Sequence, residues 1–529
     1  MAKRKRNDPT NGEAEAKAAS TKKPRAEKKP AEKKPAEKKP EKKSEPKPET
    51  KLAATDVTSA ADESFTIQII AGSYDRILHG ITAHVDGQAA TFADAFLFNA
   101  HTSAIRALSI SPPSAPIPGQ SQKVFLVSGA TDEKINVYSL SAHPPSTRDL
   151  EAQKELAGLT PRPVLENRGN REVGALHHHE GGITCLAFPS RGKLLSAGED
   201  SSVAVTRTRD WALLSKIKAP VPTAKGRPSG DTAAYRGTPS GVNSFAVHSS
   251  LKTMISVSKG EKCMRLWNLV TGRKAGVLNF DRYLLKDVGE GRHSSGEGRK
   301  VIWGTSEGGG DEFAVAFDRD VAVFGGDAVA RCRVMGDIKT KIHEVCYVSV
   351  EEEGPTLLAV STDDGRVLFF STKVEDLVPV EKKDDEDDDT ERLPSAKLVA
   401  SVGGREAGVM SRIKDFTIIR RAEAFYVVGA SSDGKIRIWR IGKAELLAAA
   451  KGNGKSKSKG KGKGKEGKKE ESKKESTEVG SLLGTYGTQN RITCLESFEM
   501  IPRPEGVEES EVEEWEDESD DDEDEDDEE

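Results

Sequence analysis

No apolar run in this 529-residue chain approaches the ~18 residues that a membrane-spanning helix needs, so no membrane partner is expected. Met1 to Arg6 is charged and no apolar stretch follows, so no secretory signal is expected either. Cysteine is scarce. The five (Cys185, Cys263, Cys332, Cys346 and Cys494) are scattered and never spaced Cys-x-x-Cys, which leaves out the usual zinc-site pattern. They read as reduced core thiols of a nuclear or cytosolic protein. Apolar residues make up only 35% of the chain and charged residues 31%, against a usual apolar share of about 45–50% counting glycine. Either the whole chain is a poor core former, or part of it does not fold. The segregation of charge decides for the second.

Residues 505–529 contain no base at all and nineteen Asp/Glu. Residues 1–51 carry eighteen Lys/Arg against nine Asp/Glu, and residues 451–475 carry eleven Lys against four Glu. What remains is nearly neutral, as a globular body should be. Residues 26–40 repeat Ala-Glu-Lys-Lys-Pro three times in tandem. A proline at every fifth position breaks any helix, and nothing there can bury a core. The expected organisation is a disordered basic arm (1–62), a folded body (63–500) and a disordered acidic tail (501–529). Disordered insertions are expected near 381–395 and 446–478, the second a flexible Lys/Gly linker. Lys3, Arg4, Lys5 and Arg6, with Lys22, Lys23 and Arg25, form two accessible basic clusters. They read as nuclear-import signals, the plainer alternative being a solubilising arm.

The folded body is a repeat. An apolar strand ends in small residues, a tight turn follows, and then a second strand. Val124 to Gly129 leads into Asp132, Ile135, Val137 and Tyr138; Phe425 to Gly429 leads into Asp433, Ile436, Ile438 and Trp439. Copies with Asp200, Glu261, Asp318 and Asp364 in the turn follow the same plan, and Ile67 to Gly72 opens a seventh. An acidic side chain in such a turn accepts local backbone N–H groups and fixes it. Alternation with period two marks strands with one buried face. Seven units of three or four short strands, without credible helices, predict an all-β, seven-bladed β-propeller. Ile183-Thr184-Cys185-Leu186 recurs verbatim as Ile492-Thr493-Cys494-Leu495. The second copy has no partner strands after it, and the strands near 65–84 have none before them. A C-terminal strand near 491–498 is therefore expected to complete the first blade, leaving no exposed edge.

These repeats resemble WD repeats with worn signatures. His101 and the run His177 to His179 stand where Gly-His usually opens a repeat. The closing Trp-Asp is Trp267-Asn268 in one copy and Trp439-Arg440 in another. The polar tetrad that such repeats bury is therefore not assigned here. More specifically, Ile69 to Tyr74, Ala100 to Arg106, Val127 to Glu133 and Val242 to Leu278 are similar to one WD-repeat family. It comprises the maintenance-of-killer nucleolar protein of fungi and the PAK-interacting WD protein of animals. The resemblance implies a factor in assembly of the large (60S) ribosomal subunit, bound to pre-60S proteins. In animals it also implies negative regulation of a PAK-type protein kinase.

Catalytic motifs fail on context. Gly304-Thr305-Ser306-Glu307-Gly308 matches a nucleophile elbow, but a strand rather than a helix should follow it. Gly454-Lys455-Ser456 ends like a phosphate loop, yet Ala449 stands where the first glycine is required. His177 to His179 read as an exposed blade loop rather than a metal site, because adjacent strand residues face opposite ways. No catalytic residue, cofactor or metal is therefore expected. Trp211, Trp267 and Trp439 read as core or inter-blade packing. The expected function is a non-enzymatic scaffold in ribosome assembly, in the nucleus and nucleolus, a monomer within a larger assembly. The Lys-rich segments suit non-specific contact with rRNA phosphates. A kinase regulator is the alternative, and an acidic-tailed histone chaperone a weaker third.

Overall fold

The computed structural model describes residues 64–503, apart from 118–119, 146–150, 152–154, 156–163, 165–166, 222–239, 292–293, 307–308, 337, 351–355, 380–391 and 452–477. The basic arm with its import clusters, most of the acidic tail and the bulk of both insertions lie outside these residues.

Seven four-stranded antiparallel sheets are present, and the fold is the expected seven-bladed β-propeller. Blade 2 shows the plan, with strands Ile105–Ile110, Lys123–Ala130, Ile135–Ser141 and Arg171–Leu176 in order. Blades 3 to 7 repeat it, their first strands being Ile183–Ser190, Val242–Val247, Lys300–Thr305, Ile342–Ser349 and Ile413–Arg420. Each first strand touches the first strand of the next blade all the way round, which makes these seven strands the wall of a central channel.

Blade 1 is assembled from both ends of the described chain. Its strands are Ile492–Glu499, Phe65–Ser73, Ile77–Val85 and Ala90–Asn99, in that spatial order. Ile67 pairs with Glu499 and Gly72 with Cys494 in an antiparallel register. The repeated Ile-Thr-Cys-Leu string has a physical reason. Thr493 Oγ1 donates to the Ile105 carbonyl at 2.6 Å, and Thr184 Oγ1 donates to the Val242 carbonyl at 2.5 Å. Each threonine thus stitches its inner strand to that of the next blade. The small residues that end the second strands also have a steric reason. A Cβ on Gly72 would lie 2.8 Å from Ile105 Cγ2, and one on Gly129 2.6 Å from Ile183 Cγ2. The next blade's leading isoleucine needs that space.

The core consists of seven apolar clusters, each between neighbouring blades. Simple alternation therefore fails in the second strands. Ala424–Ser431 is buried at every position, because blades cover both of its faces and a doubly covered strand reads as a continuous apolar run. Trp267 and Trp439 are buried in these clusters, and Trp211 packs edge-on against Phe125 of the preceding blade at 5.2 Å. The absence of helices was overstated. Helix α1, Arg282–Asp287, is capped by Asp281, whose side chain accepts from Leu284 N at 2.7 Å. Helix α2, Lys443–Ala450, buries Leu446 against blades 6 and 7, so ordered chain extends into the start of the Lys/Gly insertion. Ser395 likewise exchanges backbone hydrogen bonds with Val378, at the edge of the other insertion.

Candidate functional site

Antiparallel order puts two sets of connections at one rim. These are the turns between second and third strands, and the links from each fourth strand to the next blade. All six expected turn acids lie at this rim, but they do different work. Asp132 accepts from the backbone N–H groups of Thr102 at 3.0 Å and Lys134 at 3.3 Å, and His101 Nδ1 lies 3.2 Å from it. His101 Nε2 is 2.8 Å from Ser128 Oγ. Asp200 repeats this: His179 Nδ1 lies 3.1 Å away, Ser202 Oγ donates at 2.7 Å and Lys216 Nζ sits at 3.0 Å, while His179 Nε2 meets Ser196 Oγ at 2.8 Å. Glu261 forms a two-pronged pair with Arg265. Asp318 faces Arg299 at 2.9 Å and Lys341 at 3.0 Å. Asp364 pairs with Arg366 two residues on, and Asp433 accepts from Lys435 N at 3.2 Å.

Blades 2 and 3 do bury a His–Ser–Asp network, and blade 4 keeps a Trp267 Nε1 to Ser256 Oγ bond of 2.8 Å. The polar tetrad is worn rather than lost. Its fourth position is hard to recognise because Tyr138 and Thr206 stand where tryptophan would. His179 is accordingly not an exposed loop residue but 6% exposed. His177, two residues earlier, is exposed. Asp75, in the turn of blade 1, was missed; it accepts from Arg491 N at 3.2 Å and lacks the run Asp-x-x-apolar-x-apolar-aromatic that revealed the others.

Burial alone would raise the carboxyl of Asp200, but the hydrogen bonds from His179 and Ser202 and the charge of His179 outweigh it and hold it well below the usual range. Burial lowers His101, which Asp132 only partly offsets.

The inner strands carry a second feature that composition hides. Near the rim stand cations: Arg106, Arg299, Lys341, Arg412, Lys414 and Arg491. One tier deeper stand Glu344, Asp415 and Glu496, with Lys300 Nζ 2.6 Å from Glu344 Oε2. Asp415 accepts from Leu495 N of the closing strand at 2.8 Å. Enclosure within the channel, then the neighbouring carboxylates, push Asp415 up and Glu496 up to about 8. The sign follows. A carboxyl raised in the folded state binds more protons there than when unfolded, so its ionisation weakens folding as pH rises from about 4 towards 8. Glu496→Gln is expected to raise the melting temperature at pH 8.5 and to leave it unchanged at pH 4.5, as read by differential scanning calorimetry.

At the mouth, Tyr74, Asp75, Arg76, Arg106, Thr131 and Thr493 are among the residues that line a cavity of about 730 Å³. Tyr74 is 59% exposed, with the Arg491 guanidinium over its ring at 5.5 Å. Among the described residues no three His, Cys, Asp or Glu are grouped to hold a metal ion. Ser306 sits in a hairpin turn between strands Lys300–Thr305 and Asp311–Ala316, its Oγ donating to the Gly310 carbonyl at 3.1 Å. No helix follows it, so the elbow geometry is not formed. The arrangement is that of a rigid ring presenting a polar rim.

The model of the WD domain, G-beta repeat, matches residues 170–205, the end of blade 2 and most of blade 3. With seven four-stranded sheets around a channel, the chain has the fold of a WD-repeat β-propeller. Over most of its length it has named homologues. It is 28% identical to Protein MAK11 of Saccharomyces cerevisiae over 416 residues, covering 74% of this chain and 81% of that protein. It is 24% identical to p21-activated protein kinase-interacting protein 1-like of Danio rerio, covering 81% of this chain and 80% of that one. With human p21-activated protein kinase-interacting protein 1 it shares 25%, over 71% of this chain and 70% of that one. The chain is a homologue of these proteins.

Proposed function

We propose that this chain is a non-catalytic WD-repeat scaffold in biogenesis of the large ribosomal subunit, acting in the nucleolus and binding proteins of the pre-60S particle. The observation that carries the reading is the similarity to MAK11 over 74% of the chain, since the maintenance-of-killer resemblance implies that role. The segregated charge supports it. Basic segments of residues 1–51 and 451–475 suit a phosphate-rich setting, and kinase regulation would explain neither.

The ring should choose the partner, because its rim holds side chains at fixed spacings. Repeated charge runs supply steering without discrimination. The test is co-sedimentation with large-subunit precursors in a salt series. A variant lacking residues 1–62 but carrying an unrelated nuclear signal is expected to stay associated at low salt. The full chain should lose affinity more steeply as salt rises. Loss of association in the variant at low salt would move specificity to the arm.

A second reading, regulation of a p21-activated kinase, is favoured by the names of the vertebrate relatives. Pull-down of the kinase regulatory region by the purified chain, with no precursor rRNA recovered from nuclear extract, would favour it instead.

A further inference from the structure

We infer that the rim-side mouth of the central channel, on blades 7, 1 and 2, is a binding surface for single-stranded RNA, with Tyr74 as a stacking platform and Arg76, Arg106, Arg412, Lys414 and Arg491 as phosphate contacts.

The surface is short of counter-charge. Arg412 has only Asp363, at 3.8 Å, which His343 already engages at 3.0 Å. Lys414 Nζ has a histidine nitrogen, His343 Nδ1, at 3.4 Å. Burial, then the charges of Arg412, Arg491 and Lys341, depress its ammonium below the usual lysine value, with Asp363 pulling the other way. Cations held this close repel one another, and a bound anion relieves that repulsion. Arg106 has a carboxylate of its own, Glu199 at 3.0 Å, and that pair is open to water, where such pairs contribute little; Asp75, which lines the same cavity, accepts from the Arg491 backbone N–H at 3.2 Å.

Three features favour a nucleic-acid strand over an acidic peptide. Tyr74 is exposed beside the cations, and a base has a flat face to lay on it while a glutamate side chain does not. The cations follow the curve of the mouth across three neighbouring blades, as a backbone-tracking groove requires. Lys300, one tier down, is already paired with Glu344 at 2.6 Å and is not free to draw a phosphate into the channel interior. A strand is therefore held across the mouth and not threaded through it. The chain leaves blade 1 at the opposite rim, where Ile501 N donates to the Ala142 carbonyl at 2.8 Å, so the ring's own C-terminal exit does not crowd the surface.

The choice of RNA rests on the ribosome-assembly reading, but the experiment does not. Fluorescence anisotropy of a labelled 20-nucleotide oligouridine is titrated with the full chain in a salt series. The double variant Lys414→Glu/Arg491→Glu is compared with Arg273→Glu/Lys274→Glu, an equal charge reversal on the exposed outer strand of blade 4. The mouth variant is expected to lose about tenfold or more in affinity. Its salt slope should fall by about 1.4, as for two phosphate contacts on a single strand. The outer-strand variant should lose less than about threefold. Should the Glu pair disturb folding by calorimetry, Lys414→Gln/Arg491→Gln tests the same contacts and should give a smaller loss of the same sign. Tyr74→Ala should weaken binding at least threefold, with Tyr74→Phe restoring it.

Equal losses from mouth and outer-strand reversals would overturn the site. So would a polyglutamate 20-mer that binds as tightly as the RNA and is unaffected by Tyr74→Ala, since the surface would then be a peptide site. If the variants behave as expected while the chain fails to co-sediment with large-subunit precursors, the assembly reading falls and the RNA surface stands.

Discussion

A chain truncated after residue 445 is expected to lose its cooperative thermal transition, or to melt at least ~10 °C lower than the full chain. Truncation removes the fourth strand of blade 7 and the first strand of blade 1. Ile492, Cys494 and Leu495, all nearly fully buried, would go, at about 1.5–3 kcal/mol per large apolar side chain. Phe65–Ser73 would become an open edge with Ile67, Ile69 and Ile70 uncovered. The closing strand is also tied sideways in both directions. Asp415 and Thr417 of blade 7 bond to it, as do the carbonyls of Gly72 and Ile105 on its other flank, through Thr493. No rearrangement of the remaining six blades replaces those partners. Calorimetry of the two chains, side by side, measures the effect. An unchanged melting temperature would show that the ring does not depend on the strand.

The six turn acids are expected to divide into two groups. Asp200→Ala should destabilise by about 3 kcal/mol, because it leaves Lys216 and the His179–Ser202 pair facing an uncompensated space. Asp132→Ala should behave similarly, through His101 and Thr102. Asp433→Ala should cost less, about 1 kcal/mol, since it removes an exposed turn contact and a long 3.7 Å approach to the Arg437 guanidinium, which keeps its bond to Ser431. Urea midpoints at pH 7.5 rank them. Acidification adds a signature. His101, lowered in the folded state, withholds a proton that the unfolded chain accepts, so stability starts to fall below about pH 6.5. Asp200 and Asp132, also lowered, contribute stability that is present above the unfolded value near 4 and is lost as pH falls beneath it. Asp200→Ala should flatten the lower part of that fall. Equal effects across all six positions would mean that the acids act only as generic turn formers.

What the sequence could reveal depended on whether a feature is local. The turns were readable because Asp132, Asp364 and Asp433 lie within a few residues of the strands they join. The shared Ile-Thr-Cys-Leu strings at 183 and 492 were readable because identical jobs, the threonine stitch and the apolar flank, select identical residues. The His–Ser–Asp networks were not, since His179 meets Ser196 and Asp200 only after the blade folds, and Thr206 removes the tryptophan that usually flags the set. The cation and carboxylate tiers were harder still. Lys300, Glu344, Asp415 and Glu496 come from four blades, and nothing along the chain announces that they share one channel. Helix α2 was hidden by its setting, a short Ala/Leu segment running straight into the Lys/Gly stretch.

The bond from Thr493 to the Gly72 carbonyl spans 421 positions of the chain. During synthesis, Phe65–Ser73 therefore emerges early and must wait for a neighbour made some four hundred residues later. Its unpaired edge is open throughout that interval to any other extended segment, including the same edge of another nascent copy. Joining such distant segments is slow, because loop entropy is lost before the new contacts form. The rate at which newly made chains become resistant to protease should thus be set by this last pairing. A chaperone that covers one strand edge would be the cellular factor on which the yield of finished rings depends.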